Sequence, residues 1–170
     1  QELRNLALGG KNELRNGNFA NDLANWTIHD LTNDTGTVKS VSCVKGKTEW
    51  VPSGKVALQI RGTNATDRYG VISSDMYLNP NTEYVISGYC AGHRVGKVQV
   101  NVRDIDNSSA NIFTLNITPV NGGNTLDKWH RFESVFTTTS RTRFALNLYG
   151  VNLANDGYAW FTDVQIQEGN

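Results

Sequence analysis

The sequence predicts an all-β fold: two antiparallel sheets packed as a sandwich, or jelly roll. Three observations carry that expectation. Short runs rich in Val, Ile, Tyr and Phe alternate apolar with polar residues at period two, as strands with one buried face do. Turn residues separate them, as in residues 78–82 around Pro80 and residues 121–124 with two glycines. No stretch carries a helical period, and Asn, Thr, Gly and Ser are abundant. A chain of 170 residues suffices for one domain with a single core.

In chain order, residues 1–13 read as a linker or edge strand joining an upstream segment, and residues 14–170 as the sandwich. Trp26 to Ile28 and residues 37–44 are expected strands, and a loop over residues 45–54 carries Trp50. In residues 55–61, Val56, Leu58 and Ile60 share one face while Ala57, Gln59 and Arg61 share the other. Residues 70–76 and 83–91 follow, the latter with Tyr84 and Ile86 inward and Ser87 and Tyr89 outward. A turn is expected at residues 92–96. Residues 98–104 then set Val98, Val100 and Val102 against Gln99, Asn101 and Arg103, and a hairpin through residues 106–109 leads to a strand at residues 112–118. Residues 129–137, 143–149 and 158–167 complete ten or eleven strands, with a loop at residues 152–157.

Sixteen basic residues balance sixteen acidic ones without clustering, which argues against nucleic acid and membrane surfaces as partners. No apolar run is long enough to span a bilayer and no leader precedes the chain, so it reads as a mature or excised segment. Cys43 and Cys90 lie far apart without metal-ligand spacing; they pair if the fold brings them together, and buried free thiols on two strands are the expectation. Catalysis is not expected. No Gly-x-Ser-x-Gly elbow occurs, and His29, His93 and His130 stand singly. Asp104 and Asp106 flank a hairpin, where turn chemistry accounts for them.

The polar strand faces invite a different reading. Gln59, Arg61, Gln99, Asn101, Arg103 and Asn147 supply amides and guanidinium groups, while Tyr89 and Tyr149 supply rings on the same polar faces. If these strands adjoin, they make a shallow groove floored by amides and walled by rings. Such a surface suits a hydroxylated ligand, since rings take the C–H side and planar donors take the hydroxyls. Trp50, Tyr69 and His93 are placed on loops as its rim. Trp26, Trp129 and Trp160 are expected in the core. The alternative is an ordinary solvated sheet face.

Four segments together resemble a known pattern: residues 16–19 followed by Trp26, residues 84–89, residues 129–132 with Phe136, and residues 158–166. The chain resembles the jelly-roll carbohydrate-binding modules found beside xylanases and other glycanases, and in bacteriophage tail and baseplate proteins. The resemblance implies a non-catalytic module that binds polysaccharide or oligosaccharide within a larger protein, in a virion or outside the cell. On that basis a phage module gripping host cell-wall polysaccharide is expected; the rivals are an accessory module of a secreted glycoside hydrolase and a structural domain with a protein partner. It also implies a structural Ca²⁺ held by a Glu of the first motif and an Asp of the last strand. Here Ala20 stands at the Glu position, and only Asp163 matches.

Overall fold

The computed structural model describes residues 11–32, 38–45, 55–118 and 126–169. Residues 1–10 and Trp50 lie outside them. The described residues form nine strands: β1 (Trp26–Asp30), β2 (Lys39–Lys45), β3 (Val56–Gly62), β4 (Ala65–Ser73), β5 (Met76–Tyr77), β6 (Glu83–Asp104), β7 (Ala110–Ile117), β8 (Leu126–Thr137) and β9 (Arg143–Glu168). All pairings are antiparallel.

Two long strands organise the rest. β6 and β9 pair from Tyr84 opposite Glu168 to Asp104 opposite Phe144. The first part of β6 and the last part of β9 belong to one sheet, ordered β2-β3-β9-β6-β8. The remainder of each belongs to the other, ordered β1-β4-β9-β6-β7, with β5 beside the start of β9. The expected count of ten or eleven strands becomes nine because these two each serve both sheets.

The segments expected as a turn at residues 92–96 and a loop at residues 152–157 lie inside β6 and β9. The correction has a local cause. The β6–β9 register shifts between His93 and Val95, and Arg94, Asn152 and Asp156 adopt positive φ, so the ribbon bends through a bulge instead of ending. Gly157 sits at that corner, where a Cβ would lie 2.4 Å from the Arg94 carbonyl oxygen. Only glycine fits there without moving the backbone.

One core fills the space between the sheets. Leu58, Ile60, Ile86, Cys90, Phe161 and Ile166 enter from the first sheet, and Val71, Val98, Val100, Val102, Leu146 and Leu148 from the second. The alternation seen in sequence is thus the inner face of each strand, and burial of each such large apolar side chain contributes roughly 1.5–3 kcal/mol. At one end Trp26 packs on Phe19, ring centroids 5.4 Å apart, and donates its indole N–H to the Asn16 carbonyl at 3.0 Å. The N-terminal segment is tied down by an Asn12–Gln167 bridge and a Glu13 N–H bond to the Ile166 carbonyl.

Cys43 and Cys90 are free, and Cys90 is fully buried. Registers place them in one row, Cys43 opposite Leu58, Leu58 opposite Phe161 and Phe161 opposite Cys90. Three strand spacings therefore separate them, roughly 14 Å, about twice the reach of a disulfide. Burial pushes both thiols up to about 12, with Asp22 adding to the effect at Cys43. Neither is a thiolate at neutral pH.

Candidate functional site

The strand that carries Gln99, Asn101 and Arg103 and the one that carries Asn147 and Tyr149 do adjoin. On the outer face of the second sheet, Asn116 of β7, Gln99 of β6, Tyr149 of β9 and Gly70 of β4 are successive partners across the sheet, and His29 of β1 lies beyond Gly70. The next row runs Thr114, Asn101, Asn147, Ile72 and Thr27. Gly70 has no side chain to stand between His29 and Tyr149. The two rings stack with centroids 5.7 Å apart.

These side chains lock one another. The Arg103 guanidinium donates to Asn147 Oδ1, to the Ser109 carbonyl at 3.2 Å and to the Tyr149 hydroxyl at 3.1 Å. Asn101 donates to Gln99 Oε1, Gln99 to Asn116 Oδ1, and the Thr114 hydroxyl to Asn101 Oδ1. Tyr149, with 0% exposure, is a buried hub instead of the expected groove wall. His29 stacks on its ring and the Arg68 guanidinium carbon lies 5.8 Å from the ring centroid. Asn101 and Asn147 are equally buried. What remains accessible is an upper layer of His29, Arg68, Arg103, Thr114 and Asn116 over that network.

The network fixes the state of His29. Burial, then Arg103 and Arg68, lower its pKa, and Asp30 opposes them. Burial raises the Tyr149 phenol, so it stays a neutral hydroxyl. With Arg103 donating to the Tyr149 oxygen, the phenolic proton is left for His29 Nδ1, 2.5 Å away, to which Asn147 Nδ2 also donates at 3.2 Å. The imidazole is thus assigned as neutral, with its proton on Nε2. Its folded pKa lies below its unfolded one, so between the two values the unfolded chain binds more protons. Stability is expected to fall as pH drops below about 6.5. The fall should level off below the folded pKa. Urea midpoints from pH 8 to pH 4.5 measure this, and His29→Gln should remove that part of the slope; an unchanged slope contradicts the assignment.

The other predicted site residues fall elsewhere. Tyr89, Gln59 and Arg61 lie on the outer face of the first sheet, so Tyr89 and Tyr149 do not wall one groove. Inner residues of both sheets point into a common core, and the two outer faces point oppositely. Tyr69, expected on a rim loop, is in β4, 3% exposed and part of the core; His93 is in β6. Trp26 joins the main core as expected, and Trp160 is buried too, in a second small core cluster with Ala57 and Ala91; Trp129 packs on that cluster only half-buried. Sequence reasoning missed His29, Arg68, Thr114 and Asn116. Thr114 and Asn116 were visible as the polar phase of β7; His29 and Arg68 needed the pairing with β4.

Asp104, read as a turn residue, is fully buried. Its Oδ2 accepts from the Thr139 hydroxyl and Arg141 Nε, both at 2.9 Å, which ties the end of β6 to the β8–β9 connection. Asp163 is paired with Lys55 Nζ at 2.8 Å. The side-chain oxygens of Asn12, Asn16 and Asn18 around it already accept backbone N–H groups. Among the described residues no three His, Cys, Asp or Glu side chains gather to hold a metal. Ca²⁺ takes about six to eight oxygens. With a cation already on the one matching carboxylate, these residues do not fit it.

Residues 11–153 match the family described as carbohydrate binding domain. The chain belongs to that family. A search among curated proteins finds no match. Solved structures share the fold at low identity. A solved CBM4 structure is 16% identical with a TM-score of 0.65, the match covering 91% of this chain and 99% of the other. The enzymatically active domain of tailspike protein 4 from bacteriophage CBA120 is 15% identical with a TM-score of 0.67, covering 92% of this chain and 21% of that one. An arabinose-bound α-L-arabinofuranosidase is 14% identical with a TM-score of 0.60, covering 92% and 26%. Domains of this fold thus occur both nearly alone and as fractions of larger chains.

Proposed function

We propose that this carbohydrate-binding domain is a non-catalytic module of a bacteriophage tail or baseplate protein that holds host cell-wall polysaccharide on its second sheet. One observation carries the reading: an interlocked set of amides and one guanidinium, placed by register on a single outer face and topped by His29, Arg68, Arg103, Thr114 and Asn116. A preorganised array of planar donors and acceptors loses little side-chain freedom on binding, which favours capture of a flexible, hydrated chain. Fold similarity to part of a phage tailspike supports the tail setting. The same fold within an arabinofuranosidase chain supports a second reading, an accessory module of a secreted glycoside hydrolase. Either setting places the domain outside a cell, among neighbouring domains of a longer protein. One shallow face binds weakly, and several copies on one particle would raise avidity by about 10²–10⁴.

Affinity electrophoresis of the domain through soluble xylan, mixed-linkage β-glucan and β-1,4-galactan, with pull-down on intact bacterial cell walls, tests the proposal. Retention without turnover is expected. Arg68→Ala with Asn116→Ala, both at the accessible edge, should weaken it at least tenfold without unfolding the domain. Binding to cell walls alone favours the phage setting, and binding to plant polysaccharides favours the hydrolase setting. Absence of retention on every saccharide, with capture of a protein partner instead, overturns the proposal in favour of an assembly domain.

A further inference from the structure

The opposite outer face has a different chemistry. Tyr158 and Trp160 of β9 stack with centroids 5.2 Å apart and planes 1° from parallel, over the small Ala57 and Ala91. Trp160 Nε1 donates to Gln59 Oε1 at 3.0 Å, and Arg61 covers the Tyr158 ring. That end of the strip is closed by its own side chains. The other end is open. There Tyr89 is 38% exposed and stands between two adjoining hollows of about 200 and 330 Å³, each also bordered by Lys55 and Asp163. Trp129 lines the smaller hollow, and Arg131, Ser87 and Gln165 line the larger.

Two features indicate what occupies this open end. Its charges are internally matched, Lys55 with Asp163 at 2.8 Å and Arg131 with Glu133 at 2.9 Å, so the surface suits a neutral occupant that needs both donors and acceptors. Among the described residues the buried Trp129 indole N–H has no hydrogen-bond partner, a cost that a ligand oxygen reaching it would relieve. An exposed ring beside a matched ammonium–carboxylate pair suits a pyranose or furanose unit, with its C–H face on Tyr89 and its hydroxyls between Lys55, Asp163 and Arg131.

We propose that this face is a second saccharide-binding site, so that one domain holds two lengths of neutral polysaccharide on opposite sides. The inference rests on the reading of the domain as a saccharide binder but not on the second-sheet site itself. Isothermal titration with xylotetraose, cellotetraose and β-1,4-galactotriose gives the test, using the wild type, Tyr89→Ala with Lys55→Gln, and Arg68→Ala with Asn116→Ala. Two sites per chain are expected in the wild type for at least one sugar, and one in either variant. The wild type should also cross-link the soluble polysaccharide it binds into a turbid suspension, and neither variant should. If Tyr89→Ala with Lys55→Gln removes all binding and the other variant none, the aromatic site stands and the second-sheet site falls. One site per chain, untouched by Tyr89→Ala with Lys55→Gln but lost in Arg68→Ala with Asn116→Ala, overturns the inference and leaves the proposed function intact. No binding of any sugar overturns both.

Discussion

Replacing Arg141 by methionine is expected to lower stability by about 3 kcal/mol, the low end of what removing one partner of a buried ion pair costs. Asp104 is fully buried, and among the described residues its Oδ1 has no hydrogen-bond partner. The Arg141 side chain is 42% exposed, so the pair is partly screened and the upper end of the range does not apply. Without Arg141 the carboxylate keeps only the Thr139 hydroxyl. The urea midpoint should fall at unchanged m, and the melting temperature by roughly 6–12 °C. Asp104→Leu added to Arg141→Met should recover most of the loss, because no charge is then left in the interior. A single variant within 0.5 kcal/mol of wild type would show that Asp104 does not depend on its partner.

The sequence exposed the faces of strands but not which faces meet. Val98, Val100 and Val102 against Gln99, Asn101 and Arg103 follow from period two, and both sets point as that period requires. The row from Gln99 to Tyr149 was legible because both strands carry amides in the same phase. Tyr89 shows the limit. It lies on the same strand as Gln99 and also faces outward, yet β6 passes from one sheet to the other between them. That passage is made by a bulge at residues 93–95, not by a turn, and the glycines on either side suggested a chain reversal that does not occur. Asp104 was misread for a related reason. Hairpin position accounts for an aspartate, but burial depends on Thr139 and Arg141, more than thirty residues away. Tyr149 was read as a wall because a ring on a polar strand face is expected to be open. His29 reaches it only because Gly70 separates them, a relation between three strands that no local pattern contains.

Arg103→Lys is expected to cost about 2 kcal/mol although it conserves charge, because an ammonium cannot reproduce a planar fork aimed at three acceptors. Arg103 serves Asn147 Oδ1, the Ser109 carbonyl and the Tyr149 hydroxyl. A lysine satisfies one of these, or two with distortion. The abandoned oxygen would be that of Asn147 or Tyr149, both fully buried, and leaving such a group unpaired costs about 1–3 kcal/mol. Tyr149→Phe alone should cost about 1 kcal/mol, since it removes an acceptor from Arg103 and a donor from His29 while keeping the ring. Made together, the two changes should cost less than their sum, because each removes the same Arg103–Tyr149 bond, and a double-mutant cycle would report a coupling of roughly 0.5–3 kcal/mol. Measured at pH 8, where His29 is neutral in both states, the cycle is free of its titration. Saccharide binding should weaken at least tenfold in Arg103→Lys, since the upper layer of the second-sheet site rests on this network. Strict additivity would mean that these groups share a face without acting as a unit, and the case for a preorganised array would fail with it.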